Sequence, residues 1–382
     1  MLNLTFVLLS ALPLTVCFFW MLCFLISYKN GRTDQKIMFW FMLTSTLLYA
    51  GHFIFFNRLY ALLPVSDAIY NFTTIAVYPI YYIYILSLTG EVKPKHGLVL
   101  VPALVIALCI GVLYALMPPE VLRNFLDSYE YGRGVIGSET LARACSFLHD
   151  LVKVIFAVQI IPILYFGLKR LKEFRRKSED YFSGGEQDQL RNISRLLIFF
   201  VVTSLASGLA NLIGRTWFAD SELLVAIPSL LFSSLLFAVG YVGKTQKFTI
   251  RELRKESEFK SDTVHPVTPG LRQEIDRLME EKQLYLQPQL KLSDVAEQLN
   301  TNRTYIYNAL TEGPEKESFS DYVNGFRIRH ALELMEKRKE KRFSIEEIIY
   351  ESGFQSKSTF YAHFKRLTGQ TPKEWLQKGQ QK

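Results

Sequence analysis

The chain has 382 residues, a formal net charge of +8 and 49% hydrophobic side chains. That length exceeds the needs of one ordinary domain, and the charge sums contributions from two dissimilar halves, so the total by itself assigns no partner. No Gly-x-Ser-x-Gly, His-Glu-x-x-His or phosphate-binding glycine loop occurs, which argues against an enzyme. The four cysteines, Cys17, Cys23, Cys109 and Cys145, lie in or beside apolar runs without metal-ligand spacing. They read as small buried hydrophobes, and neither a metal nor a cofactor is expected.

From residue 4 to about 243 the chain is a series of long apolar runs. Seven of them, 4–28, 37–56, 68–89, 97–117, 147–168, 196–218 and 223–243, reach about the 20 residues that a helix needs to cross hydrocarbon. The first is not expected to be a secretory signal. It lacks a basic leading region, and its positive charges follow the apolar run.

Loop charges set the expected orientation. Lys29, Arg32 and Lys36 follow the first span, Lys93 and Lys95 the third, and Lys169, Arg170, Lys172, Arg175, Arg176 and Lys177 the fifth. The alternate loops carry few basic residues, or, between 118 and 146, basic residues offset by acidic ones. Basic loops stay in the cytoplasm. The N-terminus is then outside, and an odd number of spans leaves the C-terminus inside, at a bacterial inner membrane.

With that topology, His52, Asn71, His149, Asp150, Lys153, Asn211 and Arg215 all fall in the outer half of the membrane. Polar side chains at that depth face a bundle interior and mark sites, which suggests an outward-facing pocket for a small-molecule ligand. Tyr70, Tyr78, Tyr81 and Tyr82 would add aromatic walls. Interfacial anchoring is the competing reading. Few charges lie centrally, so no ion pathway is indicated.

Residues 244–270 form a juxtamembrane linker. Its first half is basic, with Ile250, Leu253 and Phe259 as packing positions, and His265-Pro266 and Pro269-Gly270 break it. Two readings stay open: a helix lying at the lipid surface, or one that pairs two protomers.

The remainder, 271–382, is helical and charge-rich. Residues 271–284 are amphipathic. Ser293 is expected to cap a short helix that buries Val295, Ala296 and Leu299, and Asn300 takes the following turn, because asparagine tolerates the left-handed conformation. A second helix starts near Asn302 and buries Ile306 and Leu310, which leaves Arg303, Thr304, Tyr307 and Asn308 outward. Ser318 and Asp321 open a long helix whose apolar surface suffices to brace two units, with Arg327 and Arg329 expected to be solvated or paired. The loop Arg338-Lys339-Glu340-Lys341-Arg342 is either a solvated turn or a phosphate contact. Ser344 and Glu347 form a capping box, Ile345, Ile348 and Ile349 make an apolar face, and Gly353 permits a sharp turn. The next helix buries Phe360 and Phe364 and turns Lys357, Thr359, Tyr361 and Ala362 outward. Gly369 closes it, and Thr371-Pro372-Lys373-Glu374 starts the last helix.

Two short helices across a tight turn make a helix-turn-helix, whose second helix can lie in a DNA major groove. The second such unit resembles that of AraC-type transcription regulators in Ile348, Gly353-Phe354, Phe360, Phe364-Lys365, Gly369 and Thr371-Pro372. The resemblance covers about the last hundred residues. It implies a linker helix that fixes two readers on successive major grooves of double-stranded DNA, often in a homodimer.

The expected fold class is therefore all-α: a seven-transmembrane-helix bundle (1–243), a juxtamembrane linker (244–270) and a soluble all-α domain with two helix-turn-helix units joined by a long linker helix (271–382). The expected function is a one-component transcription regulator embedded in the lipid bilayer. Arg303, Thr304, Tyr307, Asn308, Lys357, Thr359 and Tyr361 would contact DNA. The alternative is a membrane signalling receptor whose cytoplasmic helical domain binds a protein partner.

Overall fold

The computed structural model describes residues 4–132, 139–184, 186–213, 222–257, 270–311, 316–337 and 344–379. The chain is all-α: no strand is among the described residues, and an isolated antiparallel bridge joins Phe182 to Lys291. It divides into two compact units, Met1–Leu171 with Ile193–Lys247, and Lys172–Asn192 with Phe248–Lys382. The sequence reading did not anticipate that residues 172–192 group with the C-terminal part.

In the first unit the helices are α1 (Leu4–Ile26), α2 (Thr33–Phe56), α3 (Leu63–Thr89), α4 (Val101–Leu116) and α5 (Pro119–Phe125). Then come α6 (Thr140–Ser178), α7 (Glu186–Ile213) and α8 (Glu222–Thr245), of which α6 and α7 also run into the second unit. Among the described residues, seven helices are long and apolar enough to cross a membrane. The fifth apolar run, expected over 147–168, is part of a single helix of 39 residues.

α3 is the central helix of this unit, with 78% of its most apolar stretch buried against 17–39% for the other six. Several of its buried hydroxyls are satisfied locally. Ser87 Oγ donates to the Tyr84 carbonyl at 2.6 Å and Thr73 Oγ1 to that of Tyr70 at 3.0 Å, within the helix's own turns. Tyr78 stacks on Phe200 at 4.9 Å, and Tyr81 packs against Phe41. α1 packs against α2 and α8. Gly240 and Gly243 of α8 lie so close to Trp20 and Met38 that a Cβ at either would overlap those side chains, the small-residue contact that lets helix backbones approach.

The second unit contains α9 (Ile250–Ser257), α10 (Leu271–Lys282), a 3-10 turn Leu284–Leu286, α11 (Leu292–Gln298) and α12 (Arg303–Thr311). The long α13 (Phe319–Lys337) follows, then α14 (Ile345–Glu351), α15 (Lys357–Thr368) and α16 (Pro372–Gly379). Two apolar cores meet along α13. Phe319, Tyr322, Val323 and Phe326 complete a core with α10, α11 and α12. Ile328, Ala331 and Met335 complete another with Ile348, Ile349, Phe354, Phe360 and Phe364. One helix therefore braces both helix-turn-helix units, as its apolar content predicts.

Local signals mostly act as read. Ser344 Oγ accepts from Glu347 N at 3.1 Å, and Glu347 Oε2 accepts from Ser344 N at 2.6 Å. Thr371 and Glu374 repeat the arrangement. Asn300, Gly353 and Gly369 have φ of 50°, 83° and 75°. Three expectations are corrected. The cap of α11 is not Ser293: the helix begins at Leu292, where Lys291 N donates to Asp294 Oδ2 at 2.8 Å. Of the two alternatives for Arg327, solvated or paired, the solvated one is overturned: it is 1% exposed, and its guanidinium donates to the carbonyls of Tyr285, Ser183 and Gln287. Thr359 is not on the outer face of α15 but buried, drawn inward by the Ser356 cap, whose Oγ accepts from Thr359 N at 3.2 Å. The basic loop 338–342 and most of the linker, 258–269, lie outside the described residues.

Candidate functional site

In the first helix-turn-helix, α12 buries Ile306, Ala309 and Leu310. Arg303, Thr304, Tyr307 and Asn308, at helical spacing on the remaining side, are half-buried. Asn302 Oδ1 caps the helix by accepting from Thr304 N at 3.0 Å. Arg303 and Tyr307 have partners from elsewhere in the unit. Arg303 Nη1 donates to the Lys255 carbonyl of α9 at 2.6 Å. The Tyr307 ring stacks on Tyr181 with centroids 5.7 Å apart and planes 13° from parallel. Burial pushes the Tyr181 phenol up to about 12, so it stays neutral.

In the second unit, Lys357 and Tyr361 are exposed on α15 while Phe360 and Phe364 are fully buried. Lys357 Nζ meets Glu346 Oε1 of α14 at 2.5 Å. That pair holds the lysine above, and the carboxyl below, its ordinary range, and being exposed it is easily exchanged for another anion. On α15 a cation and a phenol are exposed, and on α12 a cation and hydrogen-bonding side chains are half-buried, the chemistry that reads base edges and phosphates.

The first unit encloses a cavity of about 790 Å³. Among the residues expected to form a pocket, His52, Asn71, His149 and Lys153 line it, whereas Asp150 does not. Tyr70 and Tyr78 supply aromatic wall; Tyr81 and Tyr82 do not. The side chain of Asn211, and Arg215 altogether, lie outside the described residues. His52 stacks on Phe56 and meets Tyr70 edge-on at 5.0 Å. Asp150 instead accepts from Tyr129 OH at 2.8 Å and Lys153 Nζ at 3.0 Å.

The polar end of the cavity is organised by Asp67. Its Oδ2 accepts from Tyr114 OH at 2.7 Å and Asn71 Nδ2 at 3.0 Å, and lies 2.8 Å from His149 Nε2. His149 Nδ1 donates to the Cys145 carbonyl at 2.8 Å, which fixes the ring so that Nε2 faces the carboxylate. Buried Glu130 also lines the cavity, and donor atoms of Asp67, Glu130 and His149 all lie within 4.8 Å of one another. Two carboxylates beside one imidazole are a donor set suited to a cationic group. Sequence reasoning missed Asp67, Glu130 and Tyr114, which lie 82, 19 and 35 residues from His149. The signal available was Asp67 itself, an acid abutting an apolar run.

A helix-turn-helix domain profile matches residues 295–378. The TCP pilus virulence regulatory protein of Vibrio cholerae serotype O1, from the classical Ogawa 395 and El Tor Inaba N16961 strains, is 34% identical over 84 residues. That alignment covers 22% of this chain and 29% of the relative, so the chain spans less than a third of the length of the curated relatives it matches. No solved structure matches. The matched stretch contains α12 to α15 complete, with the capping box, the turn at Gly353 and the Phe360–Phe364 pair, and residues 295–378 accordingly belong to the AraC-type helix-turn-helix family.

Proposed function

We propose that this protein is a membrane-embedded, one-component transcription regulator. Its C-terminal unit binds double-stranded DNA through α12 and α15, and its apolar helices hold it in the bacterial cytoplasmic membrane with the DNA-reading unit inside. The observation that carries the reading is the shared brace: α13 contributes to both cores, so the two readers are fixed at one spacing, as binding to successive grooves requires. Arg303, Tyr307, Asn308, Lys357 and Tyr361 are the side chains proposed to touch DNA.

Membrane embedding is supported by the outer faces of the helices. Leu104, Leu108, Val112 and Leu116 form an exposed apolar stripe along α4, and Val154, Val158, Ile161 and Tyr165 one along α6. Stripes of that length are solvated by acyl chains and not by water. The cavity, with an apolar, aromatic body and an acidic end at Asp67 and Glu130, supports the reading of a ligand site in the bundle. A ligand acts there by binding one conformation of the bundle better than another.

The test is chromatin immunoprecipitation of the full-length, membrane-retained protein. Discrete enriched promoters are expected, and their absence, together with capture of a protein partner by the same preparation, would replace this reading with that of a receptor.

A further inference from the structure

The connection between α6 and α7 is seated in the DNA-reading unit as a built element. Ser178, Phe182 and Ser183 are buried. Ser183 donates twice to the Leu290 carbonyl, from N at 3.2 Å and from Oγ at 2.7 Å. Leu292 N donates to the Tyr181 carbonyl at 3.1 Å, and Ser320 N to that of Glu179 at 2.9 Å. The bridge between Phe182 and Lys291 lies in the same place. At Gly184 a Cβ would come within 2.5 Å of the Pro288 carbonyl oxygen, so glycine there is required by close backbone approach.

Arg327 explains why the seat is specific. Its Nε donates to the Tyr285 carbonyl at 2.7 Å and Nη2 to that of Gln287 at 2.7 Å. Nη1 donates to the Ser183 carbonyl at 2.8 Å, and Nη2 to Ser183 Oγ at 3.2 Å. A buried guanidinium needs acceptors for its N–H groups, and Ser183 supplies two of them. The segment completes the coordination of a charge that lies where the two cores meet.

Seated there, the segment brings Tyr181 onto Tyr307, while the Lys255 carbonyl holds Arg303 one turn away. A helix with its side chains is about 10–12 Å across, and the major groove is about 12 Å wide. A helix in the groove leaves no room for a second aromatic ring on its outward side. We infer that residues 178–184 are a strap that competes with DNA for α12. With Ser183 on Arg327 the first reader is withheld from the groove; when the strap leaves, the Tyr181 ring no longer covers α12. Both ends of the strap continue into α6 and α7, so a displacement of either helix pulls on it directly. The inference rests on the reading of α12 as a groove-reading helix.

The experiment uses the full chain in native membrane vesicles and a randomised duplex DNA pool. Tyr181→Ala removes the stack and should raise DNA capture by about fivefold, the shift expected for losing one aromatic pair. Gly184→Val unseats the strap and should raise it further. Phe182→Cys with Lys291→Cys places two thiols across the antiparallel bridge, within disulfide reach; oxidation should abolish capture and reductant restore it. Unchanged or weaker capture by Tyr181→Ala, or equal capture by the oxidised and reduced double variant, overturns the strap and leaves DNA reading standing. Failure of every form to capture DNA overturns both.

Discussion

His149 and Asp67, on α6 and α3, meet at 2.8 Å with both side chains buried. Tyr114 and Asn71 crowd the same carboxylate oxygen, so the pair is one node of a network. Removing one member of a buried charged pair strands the other and costs about 3–5 kcal/mol. Asp67→Ala is therefore expected to lower the thermal midpoint of the full chain in detergent, read by a thiol-reactive dye at buried Cys145. Asp67→Asn combined with His149→Gln, which replaces both partners by neutral amides and strands neither, should recover part of the loss.

The glycines of the second helix-turn-helix make a contrasting pair. Gly353 has φ of 83°, and a Cβ would lie 2.7 Å from the Tyr285 carbonyl oxygen and 2.9 Å from Leu286 Cα. Gly369 has φ of 75° with nothing within 4 Å. Gly353→Ala combines backbone strain with a clash against backbone and should cost about 3 kcal/mol or more. Gly369→Ala meets only the strain, about 1 kcal/mol. Hydrogen exchange of peptides from α14 and α15 in the full chain separates the two.

His363 on α15 adds a pH dependence. Its Nδ1 faces Arg366 Nη2 at 3.0 Å, and its Nε2 faces Asn324 Nδ2 at 3.3 Å. Burial first, then the charge of Arg366, lowers its pKa from 6.5 to about 4, with Arg327 and Arg191 adding and Asp321 opposing. Between those two pH values the unfolded chain binds more protons than the folded one, so stability declines as pH falls through the window and is level above it. The loss amounts to on the order of 2 kcal/mol. Exchange protection in α15 should fall accordingly, and His363→Gln should flatten the profile.

On DNA, the positions separate by exposure. Asn308→Ala and Arg303→Ala should each weaken binding by about 1–3 kcal/mol and relax sequence preference at one position. Lys357→Ala should weaken all sequences alike and reduce the salt slope. Thr359→Ala, at a buried position, should leave DNA affinity unchanged and loosen the start of α15. Filter binding across a salt series on selected duplexes reads all four.

Much of the domain was legible because its signals are local. A capping box needs only Ser344 and Glu347 three residues apart, and a turn needs only a residue that tolerates positive φ, as Asn300, Gly353 and Gly369 do. The apolar faces of α13 and α15 follow from helical spacing. The failures have two causes, one distant and one local. Arg327 was expected to be solvated or paired because arginine usually is; that it is buried follows from acceptors on Tyr285, Gln287 and Ser183. Thr359 followed its helical position outward, and a cap one turn earlier drew it in.

By itself the sequence determined that the fold is all-α, that seven stretches have the length and apolarity of membrane spans, and that the last hundred residues make two helix-turn-helix units. Each follows from side chains within a few turns of one another, where covalent spacing fixes the geometry. Only tertiary structure decided that Asp67 and Glu130 join His149 at the end of a cavity, and that Ser183 and Tyr181 are seated on Arg327 and Tyr307. Those contacts join residues far apart in the chain. A buried charge selects its partners by the acceptors that packing brings within reach, and spacing along the sequence carries no record of them.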